Sequence, residues 1–285
     1  MPYVTLEYSP LAQRSAEIHY REFGEGRPLV FLHSGWGYHA YPINKQLHEL
    51  KNYRVLIPDR SGYGLSAKPA AFATDFHVRA AEETFAFTDA VGVEDAVLWG
   101  HSDGSVIAVW MGLMRPEHCR GIVLEAFHYS RLKKNSQEFF RQMLSQPESF
   151  GDRISSILAH EHGEPYWREL LQAEGRTWLE IAAQAAEGGY GVPPIPSPPT
   201  TPVAKKGEDL YDGRFGELRP PVAVIHGAGD PRTDEGEIEA AARALPAAAI
   251  RLIAEGGHCP HAESRAAAEF TAELLRALAS FERAE

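Results

Sequence analysis

Short runs of apolar and β-branched residues recur along the chain, separated by stretches with helical spacing. Runs that are almost continuous in apolar residues are typical of strands that helices cover on both faces. They predict strands over residues 28–33, 53–58, 95–99, 121–125, 221–226 and 248–253, after an alternating strand over 16–23. Helices are predicted between them, over residues 42–50, 76–90, 102–114, 235–245 and 264–281. Because strand and helix alternate, we expect an α/β fold with a mostly parallel, doubly wound sheet.

The middle of the chain interrupts this alternation. Residues 130–217 contain no run that is typical of a strand, whereas apolar pairs such as Phe139 and Phe140 recur there at helical spacing. We therefore predict a helical lid over residues 130–217, inserted after the sixth strand. Residues 1–129 and 218–285 are expected to form the two parts of the α/β core.

Two further signals lie inside this predicted lid. Thr177 and Glu180 match a capping box, in which the two side chains bond the first free amides of a helix, so a helix is predicted to begin at Thr177. A proline-dense run over residues 192–202 indicates an extended linker near the end of the lid.

The composition excludes several classes of protein. A net charge of −11 is unfavourable for binding nucleic acid, which requires clustered Lys and Arg. The two cysteines, Cys119 and Cys259, do not make a disulfide framework, which suits a reducing compartment. The first residues lack the pattern of a signal peptide, and no apolar run approaches the roughly 20 residues that span a bilayer. We expect a cytoplasmic protein with a small-molecule substrate and neither a nucleic-acid nor a membrane partner; the oligomeric state is left open.

The most specific local motif is the pentapeptide GHSDG at residues 100–104. It follows a predicted strand and opens a predicted helix, and such a corner lifts the hydroxyl of Ser102 clear of the backbone. The free amides at the start of the helix point to the same place and favour a negatively charged oxygen. This context predicts that Ser102 is a nucleophile.

A serine hydroxyl needs a base, and the base needs an orienting acid. Asp230 follows the predicted strand 221–226, and His258 follows the predicted strand 248–253. Loops at the C-terminal ends of parallel strands meet at one edge of a sheet. The chain order of serine, acid and histidine therefore predicts a triad of Ser102, Asp230 and His258. The alternatives are His261 for the base and Glu125 for the acid.

A glycine-bearing loop, His33 to Gly37, follows the first core strand. Such a loop can turn a backbone amide towards the nucleophile and complete an oxyanion hole with the amide of Asp103. Gly35 is the preferred donor and Ser34 the second choice. His33 is expected to make structural hydrogen bonds.

These motifs together resemble the α/β-hydrolase superfamily, in its lid-bearing branch of small esterases and proline-iminopeptidase relatives. The resemblance rests on HSGWG (33–37), DRSGYGLS (59–66), GHSDG (100–104), HGAGD (226–230) and GGHCPH (256–261), and so covers nearly the whole chain. It implies the same three triad positions and no cofactor. The chain departs from the family's His-Gly at His33-Ser34, and Asp103 stands where many relatives carry Met, Gln or Leu.

The aromatic residues of the lid and its surroundings favour a mainly apolar pocket. The candidates for substrate contact are Trp36, Phe127, Tyr129, Phe139 and Trp167. The predicted function is hydrolysis of a small or medium carboxylic ester through an acyl-enzyme. In the family, epoxide hydrolases and dehalogenases carry Asp at the position of Ser102, so the serine argues against their chemistry. The alternatives are an aminopeptidase-like amidase and a ligand sensor with slow turnover.

Metal binding is not expected. His160, Glu161 and His162 are adjacent, so their side chains point in different directions on a helix, and His258 is already assigned as the base. Cys259 is expected to pack in the interior as a small apolar residue.

Overall fold

A computed structural model describes residues 2–69, 71–186 and 209–283. This part of the chain forms eight strands: β1 Tyr3–Ser9, β2 Arg14–Phe23, β3 Arg27–Leu32, β4 Tyr53–Pro58, β5 Ala96–His101, β6 Cys119–Glu125, β7 Val222–Gly227 and β8 Ala249–Ile253. They form one sheet in the order β1-β2-β4-β3-β5-β6-β7-β8. The strands β1, β2 and β4 pair antiparallel, and all pairs from β4 to β8 are parallel. The predicted mostly parallel α/β fold is confirmed.

The helices cover both faces of the sheet. They are α1 Asn44–Leu47, α2 Phe76–Ala90, α3 Asp103–Met114, α4 Gln137–Ser145, α5 Asp152–His162, α6 Tyr166–Ala186, α7 Glu237–Ala244 and α8 Ala267–Glu282. In β3, Val30 and Leu32 belong to the core that contains α2 and α3, whereas Leu29 and Phe31 belong to the core that contains α8. Successive strand residues point to opposite faces, so a strand buried on both sides must be apolar throughout.

The first strand was not predicted. In β1 only Leu6 and Ser9 are buried, and the other residues are exposed or half-buried, so the segment lacks the apolar run by which the central strands are identified. It pairs with β2 at the edge of the sheet, where one side of a strand faces solvent.

The described part of the insertion after β6 contains the helices α4, α5 and α6, as expected. The predicted helix start at Thr177 is wrong, because α6 is already continuous from Tyr166. The Thr177 hydroxyl donates to the carbonyl oxygen of Ala173, 2.9 Å away and one turn back, which is a common role for threonine inside a helix. The proline-dense run at 192–202 lies outside the described residues.

The connection between β5 and α3 is unusually tight. Ser102 has φ +56°, in the left-handed region that non-glycine residues rarely occupy. A Cβ atom on Gly104 would lie 1.9 Å from the carbonyl oxygen of Leu32, and one on Gly100 would lie 2.2 Å from the carbonyl oxygen of Gly104. Both of these oxygens are main-chain atoms, so only glycine fits at positions 100 and 104.

Among the helices of the described ranges, none combines the length and the apolar content that crossing a membrane requires.

We predict that Gly104→Ala lowers the free energy of unfolding by about 1–3 kcal/mol, because β3 must move to admit the methyl group. Gly229→Ala is the control, since its nearest atom would lie 3.4 Å away and its φ is ordinary; it should change stability by less than about 0.5 kcal/mol. Urea unfolding measures both values, and equal stabilities for the two variants would contradict the steric explanation.

Candidate active site

The C-terminal edge of the sheet gathers the predicted residues. Ser102 follows β5, His128 follows β6, Asp230 follows β7 and His258 follows β8. These four strands are consecutive in the sheet and parallel. Because parallel strands end on the same side, loops that are distant in sequence meet there.

Ser102, His258 and Asp230 form an uninterrupted series of contacts. The Oγ atom of Ser102 lies 3.2 Å from Nε2 of His258. The Nδ1 atom of the same ring lies 3.0 Å from each carboxylate oxygen of Asp230. All three residues are buried. The structure therefore brings together the three residues that the sequence predicts.

The charges of this series are set by burial and by neighbouring groups. Burial alone would raise the pKa of Asp230, but the hydrogen bond and charge of His258 outweigh it and hold the pKa below its usual value. Burial and the nearby Arg232 guanidinium lower the pKa of His258, against the opposing pull of Asp230. Near neutral pH the site therefore pairs a carboxylate with a neutral imidazole, which is the state of a general base.

The alternative acid and base pair with each other. Oε1 of Glu125 lies 2.7 Å from Nδ1 of His261, and Oε2 accepts a hydrogen bond from the Trp99 indole. The Nε2 atom of His261 lies 2.9 Å from the carbonyl oxygen of Tyr41. Both ring nitrogens thus face acceptors, so both carry protons and His261 is a buried imidazolium beside a carboxylate.

This pairing also bears on metal binding. Ligand-type atoms of His101, Glu125 and His261 lie within 4.8 Å of one another. With both nitrogens protonated, His261 offers no lone pair, so this cluster is poorly suited to a metal ion. Glu161 is engaged elsewhere, because its carboxylate accepts hydrogen bonds from the amides of Tyr38 and His39, at 2.7 and 2.9 Å.

The glycine-bearing loop after β3 is oriented by a buried arginine. The Arg60 guanidinium donates to the carbonyl oxygens of His33, at 2.7 Å, and Ser34, at 3.1 Å. In a trans peptide the N–H points away from the C=O, so the amides of Ser34 and Gly35 face away from Arg60. His33 is buried against Arg60 and Ser34, as its expected structural role requires.

The amide of Asp103 is the first in α3. Amides in the first turn of a helix have no partner within that helix. The amide is therefore available to a ligand beside Ser102.

A cavity opens beside Ser102. Its lining is mostly aromatic and polar: Ser34, Gly35, Trp36, Tyr41, Ser102, Asp103, His128, Phe139, Phe140, Met143, Glu174, Trp178, Arg232 and His258. Trp36 and Phe139 lie where the sequence predicts, and their rings stack at 5.6 Å.

Phe127, Tyr129 and Trp167 are not among the residues that line this cavity. The Phe127 and Tyr129 rings pack against Phe215, near the end of the predicted lid. Trp167 is buried, with its indole N–H on Glu164 within the lid. The expectation that these three residues contact the substrate did not distinguish aromatic residues that fill a core from those that line a pocket.

Two carboxyl groups at one end of the cavity were not predicted as a pair. A Cβ atom on Gly35 would lie 2.5 Å from Oε2 of Glu174 and 2.7 Å from Oδ2 of Asp103. The Asp103 carboxylate accepts from the Trp178 indole and contacts His77. These contacts and the charge of Arg60 hold its pKa below the usual value despite burial.

Glu174 is less well satisfied. Its Oε1 has no hydrogen-bond partner among the described residues. Burial raises its pKa to about 8, and only the Arg60 charge opposes this. The sequence does carry a signal, because Glu174 interrupts the apolar stripe of α6 at the helical spacing of Leu170, Leu171 and Trp178.

His128 is the second residue that the sequence analysis missed. Its Nε2 lies 3.2 Å from Oγ of Ser102, as close as the Nε2 of His258. Its position three residues past the end of β6, at the edge that holds the other candidates, is the signal that identifies it.

The sequence model of the α/β hydrolase fold matches residues 27–264. The chain belongs to the α/β hydrolase fold family. It is thus a member of a hydrolase family, with the eight-stranded sheet and the helical insertion described above.

The chain is similar to two curated relatives and to a solved structure of the same fold. An epoxide hydrolase of Caballeronia sordidicola is 25% identical over 199 residues, which cover 66% of this chain but only 60% of that protein. A non-heme haloperoxidase of Rhodococcus erythropolis is 37% identical over 205 residues, covering 63% of this chain and 72% of that protein. A thermophilic esterase from Thermogutta terrifontis has the same fold, with a TM-score of 0.68 at 18% identity and 99% of both chains covered.

We predict that Glu174 makes stability depend on pH. The unfolded chain loses this proton near the ordinary value of 4.5, whereas the folded chain keeps it to about 8. Between these values unfolding releases a proton, so the free energy of unfolding falls as pH rises, by at most about 1.4 kcal/mol per pH unit, and levels off above 8.

Glu174→Gln cannot ionise and should remove this slope. The variant should match the wild type at about pH 5 and be the more stable protein at about pH 9, by urea unfolding. Glu180→Gln, at an exposed position of the same helix, is the control and should follow the wild-type curve. A Glu174→Gln curve as steep as that of the control would contradict the prediction.

Proposed function

We propose that the protein is a serine hydrolase that cleaves a small or medium carboxylic ester through an acyl-enzyme. The observation that carries this proposal is the series of contacts from Ser102 through His258 to Asp230, on a backbone turn that holds Ser102 at φ +56°. Strain of this kind persists only where the surrounding structure enforces it, and it is frequent at active sites.

In the first half-reaction, His258 Nε2 takes the proton of Ser102 as Oγ bonds to the acyl carbon. The electrons of the carbonyl double bond move to its oxygen. Asp230 keeps the proton of His258 on Nδ1 and stabilises the imidazolium that forms. The carbonyl double bond then reforms, the ester C–O bond to the alcohol breaks, and the departing alkoxide takes the proton from His258 Nε2.

In the second half-reaction, water attacks the acyl carbon and gives a proton to His258. The Oγ–carbon bond breaks and Ser102 recovers its proton. In both halves the carbonyl oxygen carries negative charge, and we assign its stabilisation to the amide of Asp103 and that of Gly35 or Ser34. The hydrogen bonds from Arg60 to the loop carbonyls support this assignment, since they orient both loop amides away from the arginine.

The lining of the cavity supports the substrate class. Trp36, Phe139 and Phe140 supply aromatic surface for an acyl chain. The similarity of the fold to a thermophilic esterase is in keeping with this substrate. The presence of a serine at position 102, in place of a carboxylate, favours attack on an acyl carbon over epoxide opening.

A specific observation favours one other substrate. Asp103 and Glu174 place two carboxyl groups beside Gly35, in the glycine-bearing loop after β3. An ammonium group bound there would ionise Glu174 and satisfy its free oxygen. The second candidate function is therefore an amidase that acts on aminoacyl compounds.

The test is steady-state hydrolysis of p-nitrophenyl esters of increasing acyl length, with an aminoacyl arylamide in parallel. We expect multiple turnovers on short and medium esters, with rates that fall as the acyl chain outgrows the cavity. Ser102→Ala should lose at least roughly 10³-fold in kcat, because triad members act as a unit. Ser280→Ala, at an exposed position of α8, is the matched control and should keep wild-type rates.

Ester hydrolysis that survives in Ser102→Ala would refute the proposed nucleophile. Preference for the arylamide, lost in Glu174→Gln, would establish the amidase instead. Release of about one equivalent of product, with very slow turnover afterwards, would indicate a ligand sensor.

A further inference from the structure

Two imidazoles contact one hydroxyl group at this site. The Nε2 atoms of His128 and His258 each lie 3.2 Å from Oγ of Ser102. The His128 ring is buried and nearly parallel to the His258 ring, with the centroids 5.9 Å apart. The Tyr211 hydroxyl donates to the main-chain carbonyl of His128 at 2.6 Å, which fixes the loop that carries the ring. The triad alone needs one histidine, so the second requires an explanation.

The proton positions follow from the partners. Nδ1 of His258 faces both oxygens of Asp230 and therefore carries a proton, which leaves Nε2 as the acceptor for the Ser102 hydroxyl. A hydroxyl has one proton to donate. The contact with His128 must then run in the other direction, from Nε2–H to a lone pair of Oγ.

The other nitrogen of His128 agrees with this assignment. Its Nδ1 has no hydrogen-bond partner among the described residues. With the proton on Nε2, only an acceptor is left unpaired; with the proton on Nδ1, a buried N–H would be unpaired and the contact with Oγ would be lost as well. Burial and the nearby charges of Lys133, His258 and Arg232 hold the pKa of His128 well below its usual value, so the ring stays neutral.

We infer that His128 is a second catalytic histidine, which donates its Nε2 proton in a hydrogen bond to Ser102 Oγ and stabilises the negative charge that this oxygen carries during the reaction. This inference rests on the proposed acyl-enzyme mechanism. His128 keeps its proton throughout. As Ser102 transfers its proton to His258, charge grows on Oγ until the bond to the acyl carbon forms. In deacylation the charge returns when that bond breaks, and the same hydrogen bond stabilises it.

This role differs from contact with the leaving group. A donor to Oγ lowers the barrier by a similar factor for every ester of one acid, because Oγ is common to all of them. A donor to the leaving oxygen matters more for a poor leaving group, which carries more charge. The dependence of the defect on the leaving group therefore distinguishes the two roles.

The experiment compares His128→Phe, which removes the donor, with His128→Gln, whose amide restores one at a similar reach. The readouts are the rate of phosphonylation of Ser102 by a fluorophosphonate and kcat/KM for p-nitrophenyl and ethyl esters of one acid. We expect His128→Phe to lose roughly 10- to 100-fold in each, equally for both esters, and His128→Gln to recover most of the loss. His48→Phe, at an exposed histidine after α1, is the control for the change of side chain.

Wild-type rates in His128→Phe, no recovery in His128→Gln, or a defect that is larger for the ethyl ester would each overturn the inference. Absence of labelling and turnover in the wild type would instead refute the proposed function. A measurement on the unaltered protein avoids any folding defect. Long-range ¹H–¹⁵N correlation spectra should show His128 protonated on Nε2 and bare on Nδ1, and the opposite tautomer or an imidazolium would overturn the assignment.

Discussion

The turn between β5 and α3 determines the arrangement of the whole site. Main-chain atoms of Leu32 and Gly104 leave no room for side chains at positions 104 and 100, and Ser102 is held in a left-handed conformation between them. The packing of the sheet against its two hydrophobic cores stabilises the protein enough to hold this strained turn in place. Oγ is thereby fixed at the sheet edge, where the loops after β6, β7 and β8 can reach it.

Buried charges around the pocket are balanced in pairs, which makes their burial tolerable. The Arg60 guanidinium lies 3.6 Å from Asp103, and Lys133 lies 3.0 Å from Glu237. A buried ion is costly unless a partner and hydrogen bonds compensate it. Glu174 lies 3.9 Å from the same Arg60 guanidinium, but burial raises its pKa to about 8, so it stays protonated near neutral pH.

Much of the core could be predicted because it is encoded locally. The strand over residues 53–58 and the helix over 76–90 have the predicted bounds, since each has a clear apolar pattern and ends at a turn. Positions that depend on packing could not be obtained in this way. Trp167 and Phe139 are both aromatic lid residues, yet one is buried in the lid and the other lines the cavity. His128 was missed because only the paired strands bring it to Ser102.

The covalent acyl-enzyme is the central claim, and mass spectrometry of the intact protein tests it most directly. Wild-type protein is quenched in acid during steady-state turnover of p-nitrophenyl acetate and then digested. The expected result is one added acetyl group, located on Ser102. Turnover without any acylated protein, or a modification on the neighbouring Asp103 in place of Ser102, would contradict the mechanism.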